Sequence, residues 1–214
     1  MTKFRVIYFG TPEIGAEILK ALLEMPIVEV VLVVSQPDSF VGRKKELQTT
    51  PVKKVALENK LPVVQPAKII DEYARLQALN PDFFITCAYG QFIPTKILEI
   101  PKLEALNIHG SLLPKYRGGA PIQYAIWNGE PTTGVSIMRM VKQMDAGPYF
   151  SQQQVPIAPT DTSQELFGKI AVAGSQLLKD SLLLIATKKL PPIFQDETQA
   201  TFSKNITPEQ EKID

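Results

Sequence analysis

The segment Val28–Val34, with the sequence VEVVLVV, places the strongest constraint on the fold of this chain. Valine is β-branched and favours extended backbone, and a run this apolar has to be buried on both faces. A strand with two buried faces is typical of a central parallel strand in an α/β protein. The segment therefore predicts a parallel sheet that is covered by helices on both sides.

The rest of the chain alternates strand-like and helix-like segments around this run. Residues 4–9 predict a first buried strand, and the turn Gly10-Thr11-Pro12 predicts a helix with Thr11 as its N-cap and Pro12 as its first residue. Thr162 and Glu165 have the spacing of a capping box that opens a long helix. Further segments predicted are helices near 51–59, 69–79 and 120–127, and strands at 62–64, 82–87, 103–109, 135–140 and 149–157. The expected class is α/β, a Rossmann-like open, mostly parallel sheet with helices on both faces.

Composition narrows the classes of partner. The chain has 214 residues, enough for one main domain, and its 23 Lys and Arg against 22 Asp and Glu give a net charge of +1, so bulk charge predicts no nucleic-acid partner. The basic residues Arg43, Lys44 and Lys45 form a local cluster within the polar segment 35–51, which predicts a long loop after the second strand.

Other functional classes are disfavoured by what the chain contains. One cysteine, Cys87, excludes an internal disulfide, and with a single histidine an all-Cys/His zinc site is disfavoured, so no metal is expected. No apolar run approaches the roughly 20 residues of a membrane-spanning helix, and the amino-terminal run is too short and polar for a signal peptide. A cytoplasmic protein without a membrane partner is expected.

The first turn, residues 10–15, lies where a dinucleotide-binding fold has its glycine-rich loop, but it lacks the G-x-G-x-x-G spacing. A nicotinamide cofactor is therefore disfavoured, while anion binding at the helix amino terminus and a purely structural turn both stay open.

The only histidine, His109, closes an apolar run just before a turn rich in Gly, Ser and Pro. Asn107 is two residues earlier, so both side chains project from the same face of an extended strand. Asp145 lies in a second Gly/Pro turn, and ligands of open α/β sheets bind beyond the carboxyl ends of strands. These residues are candidates for one site, although each taken alone is also compatible with a structural role.

Several motifs together resemble the family of 10-formyltetrahydrofolate-dependent formyltransferases. They are Asn107-x-His109, the segment Ser111 to Gly118 (SLLPKYRG) and the later Asp145. Further segments resemble the branch of the family that acts on methionyl-tRNA: FGTPE at 9–13, QPD at 36–38, PVK at 51–53, AYGQ at 88–91 and GAPI at 119–122. The likeness extends along essentially the whole chain.

The resemblance implies that Asn107, His109 and Asp145 are catalytic, in direct transfer of a formyl group from the folate N10 to a primary amine. Attack of the amine on the formyl carbon creates a tetrahedral oxyanion, which the Asn107 amide and a protonated His109 can stabilise by donating hydrogen bonds. Asp145 favours the charged imidazole and, directly or through water, helps remove the amine proton.

The resemblance also implies a co-substrate, 10-formyltetrahydrofolate, and no metal. The pterin is expected against the backbone of residues 88–93 and against the loop from Val141 to Asp145. Residues 111–114 are expected to line the formyl site. The implied folate-binding residues are Ala88, Tyr89, Gly90, Gln91, Phe92, Ile93, Ser111, Leu112, Leu113, Pro114 and Val141.

The implied macromolecular partner is initiator methionyl-tRNA, bound through Arg43, Lys44 and Lys45. The family has more basic and glycine residues in this loop, whereas this chain has Ser39, Phe40 and Glu46 there. Residues 1–189 are expected to form the catalytic domain, and residues 190–214 a linker towards a carboxyl-terminal tRNA-binding domain that this chain lacks. Weak tRNA affinity and a monomer follow as expectations.

Two alternative functions stay open at this point. The acceptor could be an amino sugar nucleotide or glycinamide ribonucleotide, because the catalytic trio is shared with those relatives. The chain could also be a folate-binding or RNA-interacting module without catalysis.

Overall fold

A computed structural model describes residues 3–41, 46–207 and 210. The strands are β1 (Phe4–Gly10), β2 (Val28–Val34), β3 (Ser39–Val41), β4 (Glu46–Gln48), β5 (Val63–Val64), β6 (Phe83–Cys87), β7 (Glu104–His109), β8 (Arg117–Gly118), β9 (Thr132–Arg139), β10 (Tyr149–Pro156) and β11 (Phe202–Ser203). The helices are α1 (Glu13–Leu23), α2 (Pro51–Glu58), α3 (Tyr73–Ala78), α4 (Thr95–Leu98), α5 (Pro121–Trp127) and α6 (Ser163–Ala186), and short 3-10 turns cover Ile69–Glu72 and Glu197–Gln199.

The main sheet formed by the described residues has the strand order β10-β9-β7-β6-β1-β2-β5. Pairing is parallel from β5 through β2, β1 and β6 to β7, and antiparallel from β7 through β9 to β10. The predicted open, mostly parallel sheet is confirmed. Because the parallel strands end at one edge, the turns after Gly10, Cys87 and His109 lie next to each other.

Alternation along β1 shows how helices come to cover both faces. Val6 and Tyr8 pack in one apolar cluster with α1 and α6, whereas Ile7 and Phe9 pack in a second cluster with residues of α3 and α4. All four side chains are fully buried. Burial on both faces accounts for the near-continuous apolar composition of the central strands.

The predicted N-cap of the first helix is wrong. Helix α1 begins at Glu13, and its N-cap Pro12 has no side chain that can accept a hydrogen bond. The Thr11 hydroxyl instead donates to the Tyr89 carbonyl at 2.8 Å and accepts from the Gln36 backbone N–H at 3.3 Å. Thr11 therefore ties the carboxyl ends of β1, β2 and β6 together, a tertiary role that competes with capping. The predicted capping box of Thr162 and Glu165 is confirmed.

The segment predicted as a long loop after β2 contains a hairpin. Strands β3 and β4 pair antiparallel, with Phe40 opposite Leu47 and both side chains exposed. The basic cluster of Arg43, Lys44 and Lys45 lies outside the described residues.

The segment after α6 stays on the surface of the sheet domain. Strand β11 pairs in parallel with β8, and Ile193 forms an isolated bridge with Tyr149. The Ser203 side chain is buried, although it lies within the segment 190–214 that is expected to be a linker. Its partners are backbone groups brought by distant loops, and periodicity in the sequence does not report such partners.

None of the helices in the described ranges is both long enough and apolar enough to cross a membrane.

Adjacent leucines of α6 provide a test of the core. Leu182 is 0% exposed and Leu183 is 46% exposed. We expect Leu182→Ala to lower the free energy of unfolding by about 2–5 kcal/mol, because it leaves a cavity, and Leu183→Ala to change it by less than about 1 kcal/mol. Urea unfolding followed by circular dichroism measures both. Equal losses in the two variants would contradict the packing of α6 described here.

Candidate active site

A cavity of about 920 Å³ opens at the carboxyl edge of the parallel strands. Its walls come from the ends of β6 and β7, from the segment 117–123, from residues between β9 and β10, and from the carboxyl-terminal residues 202–205. This volume lies in the range of about 300–1,000 Å³ that is usual for small-molecule sites. These five parts of the chain, together with Ile14, Leu98 and Phe167 from three helices, therefore contribute to one concave site.

Asn107 and His109 line this cavity from strand β7. They pair with Met138 and Ser136 of the antiparallel strand β9, which holds the end of β7 in an extended conformation. Their spacing of two residues puts both side chains on one face of the sheet. The His109 side chain is 5% exposed and Asn107 is half-buried.

The orientation of the His109 ring follows from its hydrogen bond. Its Nε2 lies 2.9 Å from the Tyr116 carbonyl oxygen. A carbonyl can only accept, so Nε2 carries the hydrogen and donates it. In the neutral ring Nδ1 is therefore the nitrogen with the free electron pair. This nitrogen lies on the side of Asp145, with 3.7 Å between His109 Nδ1 and Asp145 Oδ2.

Asp145 reaches the site from the segment between β9 and β10. Its backbone has a φ of 51°, a conformation that is uncommon for residues other than glycine. Its Oδ2 accepts a hydrogen bond from the Gly118 backbone N–H at 2.8 Å. The carboxylate is thus fixed beside the imidazole, where it can stabilise a positive charge on His109.

The same cavity is lined by the strip 88–93 and by Val141, the residues that the family resemblance assigns to folate: Ala88, Tyr89, Gly90, Gln91, Phe92, Ile93 and Val141. The Gln91 side chain is occupied, since its amide donates to the Pro66 carbonyl at 3.0 Å and its oxygen accepts from the Ile69 N–H at 3.1 Å. Gly90 has a φ of 89°, which favours glycine. At Gln91, backbone groups rather than the side-chain amide are therefore the ones free for a ligand.

Two buried hydroxyls near this strip, those of Thr86 and Tyr89, have no hydrogen-bond partner within the described part of the chain. Thr86 pairs in register with Asn107 across β6 and β7. Burial raises the pKa of the Cys87 thiol to about 12, so the thiol is protonated at neutral pH and is a poor nucleophile. Cys87 is therefore not a candidate nucleophile of this site.

The structure places Ser111, Leu112, Leu113 and Pro114 away from the described lining of the cavity. The Ser111 hydroxyl donates to the Lys115 carbonyl at 2.6 Å, and the Leu113 N–H donates to the Ser136 hydroxyl at 3.2 Å. These contacts indicate a structural role in holding the turn after β7. The prediction that the four residues line the formyl site gains no support from this geometry.

Residues 202–205 contribute to the lining but were not singled out from the sequence. Phe202 is exposed at the cavity, and Lys204 and Asn205 add polar groups to it. Arg117, which the sequence shows only as part of a motif, is 1% exposed and pairs with Glu197 through two hydrogen bonds of 2.9 and 2.8 Å. A buried guanidinium needs such a partner, but nothing in the local sequence identifies it.

The described residues contain no group of three or more His, Cys, Asp or Glu side chains arranged to hold a metal ion.

A family model and two similar curated proteins all indicate the same protein family. Residues 2–182 match the family model described as formyl transferase. The chain is 58% identical over 213 residues to the methionyl-tRNA formyltransferase of Mesoplasma florum, covering 100% of this chain and 68% of that protein. It is 57% identical to the methionyl-tRNA formyltransferase of Mycoplasma capricolum, covering 99% of this chain and 67% of the relative.

Solved structures share the fold at lower identity. Glycinamide ribonucleotide transformylase 1 from Symbiobacterium toebii superimposes with a TM-score of 0.75 at 21% identity, covering 91% of this chain and 95% of that one. An N-formyltransferase from Helicobacter canadensis, solved with folinic acid and dTDP-3-aminofucose, gives a TM-score of 0.72 at 21% identity, covering 99% of this chain and 73% of that one. From the family model and the close relatives together, we conclude that the chain belongs to the formyl transferase family.

Proposed function

We propose that this chain transfers the formyl group of 10-formyltetrahydrofolate to the free amino group of initiator methionyl-tRNA, the reaction used in translation initiation. The observation that carries the proposal is the cavity that brings Asn107, His109 and Asp145 to the strip 88–93. The names of the relatives at 58% and 57% identity support the acceptor.

In the proposed reaction the amine nitrogen attacks the formyl carbon and forms a new C–N bond. The carbonyl electrons move onto oxygen, and the oxyanion is stabilised by hydrogen bonds from the Asn107 amide and from protonated His109. When the carbonyl re-forms, the bond to the folate N10 breaks, N10 takes up a proton and the amine loses one. No metal and no covalent enzyme intermediate take part in this scheme.

The geometry around His109 supports this division of roles. The Tyr116 carbonyl holds Nε2 at 2.9 Å, which leaves Nδ1 as the nitrogen that gains and releases a proton. Asp145 Oδ2 is 3.7 Å from Nδ1 and is held by the Gly118 N–H. A separation of 3.7 Å is longer than a direct hydrogen bond, so contact through the substrate or through water is consistent with the arrangement.

Folate is proposed to bind along the backbone of residues 88–93 with Val141 opposite. Two structural neighbours, a sugar 3N-formyl transferase and the N-formyltransferase from Helicobacter canadensis, were solved with 5-N-formyl-tetrahydrofolate and folinic acid. Both are 21% identical to this chain, an identity that supports a shared fold only. The Thr86 hydroxyl, which has no partner among the described residues, and the backbone of Gly90 offer polar groups next to an apolar wall that includes Ile93 and Leu98. A flat heteroaromatic ring with polar edges fits such a wall.

The alternatives differ in acceptor or in activity. An amino sugar nucleotide and glycinamide ribonucleotide are acceptors suggested by the names of structural neighbours at 21% identity, whereas the relatives above 55% identity are named for methionyl-tRNA. A non-catalytic module is disfavoured because the polar trio is complete and lines an open cavity.

Arg43, Lys44 and Lys45 are proposed to bind the tRNA. In the sequence they come between strands β3 and β4, whose facing residues Phe40 and Leu47 are exposed. The division at residue 189, the role of 190–214 as a linker, the monomeric state and the cytoplasmic location stay predictions. We add that residues 202–205 belong to the site, because they line the cavity.

Removal of the proposed catalytic groups should abolish most of the turnover. We expect Asn107→Ala to lower kcat by roughly 100- to 1,000-fold through loss of an oxyanion donor, and Asp145→Asn and His109→Ala by roughly 100- to 10,000-fold through loss of proton transfer. Single-turnover assays with the folate donor and charged initiator tRNA measure these rates. Asp180→Asn, an exposed aspartate on α6, is the control and should be unchanged. A near-wild-type rate for His109→Ala would exclude the mechanism.

The acceptor can be decided by direct competition. With 10-formyltetrahydrofolate as donor, we expect kcat/KM for methionyl-tRNA to exceed that for an amino sugar nucleotide and for glycinamide ribonucleotide by at least about 100-fold, because specific sites reject substrates that leave polar groups unpaired. Mass spectrometry of the formylated products gives the ratios. Preference for a small-molecule acceptor would replace the proposed substrate, and folate binding without any transfer would favour the non-catalytic module.

The basic cluster should act on tRNA alone. We expect Arg43→Ala to raise KM for methionyl-tRNA by roughly 10-fold through loss of a charged contact with the nucleic acid, while KM for the folate stays the same. Lys60→Ala, an exposed lysine after α2, serves as the charge-matched control. The same rise in KM for both substrates would argue against a tRNA contact at Arg43.

A further inference from the structure

The segment 195–203, which follows α6 and the bridge at Ile193, contacts both halves of the site. On one side it reaches the backbone around His109: the Ser203 hydroxyl donates to the Arg117 carbonyl at 3.3 Å, and the Tyr116 N–H donates to the Thr201 hydroxyl at 2.8 Å. Tyr116 is the residue whose carbonyl holds His109 Nε2. The segment therefore fixes the partner of the imidazole.

On the other side the segment reaches the backbone of Asp145 through one side chain. Gln195 Nε2 donates to the Asp145 carbonyl at 2.8 Å and to the Gly147 carbonyl at 2.6 Å. Its other amide atom, Oε1, accepts from Arg117 Nε at 3.0 Å. One glutamine thus uses both ends of its amide to connect the segment between β9 and β10 with strand β8.

The arrangement forms a closed chain of contacts. Arg117 donates a hydrogen bond to the Gln195 side chain, and Gln195 donates one to the Asp145 carbonyl. The Asp145 carboxylate in turn accepts from the N–H of Gly118, the neighbour of Arg117. Arg117 is itself fixed by its two bonds to Glu197, and by the bond from its N–H to the Thr201 carbonyl at 2.9 Å. Each member restricts the next, so the position of the Asp145 carboxylate depends on Gln195.

The backbone at Asp145 benefits from such support. A φ of 51° is uncommon for a residue with a side chain, although Asp adopts it more readily than most, and surrounding contacts stabilise such a conformation. The two carbonyls that Gln195 binds belong to Asp145 itself and to Gly147, two residues later. Gln195 itself is absent from the described lining of the cavity, so its contribution is indirect.

We propose that Gln195 is a positioning residue for formyl transfer, which holds the Asp145 carboxylate at its working distance from His109. The inference rests on the proposed function for its effect on rate. The structural part of the proposal does not depend on the reaction. It states that the distance between Asp145 and His109 is set by Gln195, a residue that follows α6 and lies 50 residues after Asp145 in the sequence.

Isosteric substitution at Gln195 separates its two contacts. Gln195→Glu keeps an oxygen that can accept from Arg117 but replaces the donor NH₂ by an oxygen that faces two carbonyls. Gln195→Met removes both contacts without adding a charge. The control is Gln199→Glu, because Gln199 is an exposed glutamine on the same segment whose amide donates only to Asp196 within the described residues.

We expect Gln195→Glu and Gln195→Met to lower kcat by roughly 10- to 100-fold, as for other residues that orient a functional group, with KM for folate and tRNA within about threefold of the original value. Gln199→Glu should keep its rate. Circular dichroism and thermal unfolding verify that the variants fold. A folded Gln195→Met that retains more than half of kcat would overturn the proposal.

A double-mutant cycle tests whether Gln195 acts through Asp145. In an Asp145→Asn background, Gln195→Glu should lower kcat by less than about threefold further, because the carboxylate that it positions has been removed. If the loss of kcat in the double variant equals the product of the losses in the two single variants, Gln195 acts independently of Asp145, and the inference is contradicted.

A measurement that needs no turnover separates this inference from the proposed function. His109 is the only histidine in the chain, so its imidazole Hε1 signal is identified without assignment of the rest of the spectrum. At a fixed pH, we expect Gln195→Glu to move this signal in the same direction as Asp145→Asn does, and Gln199→Glu to leave it in place. An unmoved signal in Gln195→Glu overturns the positioning role. If the unmodified chain transfers no formyl group but the signal moves, the proposed function fails and the positioning role stands.

Discussion

Parallel pairing of β6 with its neighbours β1 and β7 is the constraint on which the rest of this structure depends. Parallel strands end at the same edge, so the turns after Gly10, Cys87 and His109 are forced together. The buried valines, phenylalanines and isoleucines of these strands fix that arrangement, because a slip in register would exchange side chains of different size between the two cores and disrupt the packing of both. The cavity is a consequence of this edge, and the antiparallel strand β9 closes it on one side.

A buried guanidinium sets the second constraint. Arg117 is almost fully buried, and a charge in that position is costly to the fold unless it is paired and hydrogen-bonded. Glu197 supplies a bidentate partner, and the Arg117 guanidinium lowers the pKa of the Glu197 carboxyl. Glu197 lies beyond α6, so satisfying Arg117 brings the carboxyl-terminal segment back across the site. The stability of the domain and the completeness of the cavity are therefore linked through one ion pair.

The chemistry of the site follows from how few atoms are left free. The Tyr116 carbonyl accepts a hydrogen bond from His109 Nε2, and the Gly118 N–H donates one to a carboxylate oxygen of Asp145. The Gln91 side-chain amide is hydrogen-bonded to the backbone of Pro66 and Ile69. The groups proposed to meet the ligand are the other imidazole nitrogen, the Asn107 amide and backbone groups of the strip 88–93. A site whose groups are fixed before substrate arrives loses little energy in reorganisation during the reaction.

The sequence by itself determined the fold class, because buried strands and amphipathic helices leave periodic patterns, and it placed Asn107 and His109 on one strand face. The motif resemblance selected Asp145 and the strip 88–93. Only the tertiary structure decided that Thr11 ties three strands rather than capping a helix, that Ser111 to Leu113 hold a turn, and that Gln195, Glu197 and Ser203 contact Asp145 and Arg117 beside the site. The physical reason is that a hydrogen bond between polar groups 50 to 86 residues apart has no local pattern, whereas burial of a strand or a helix face repeats every two or every 3.6 residues.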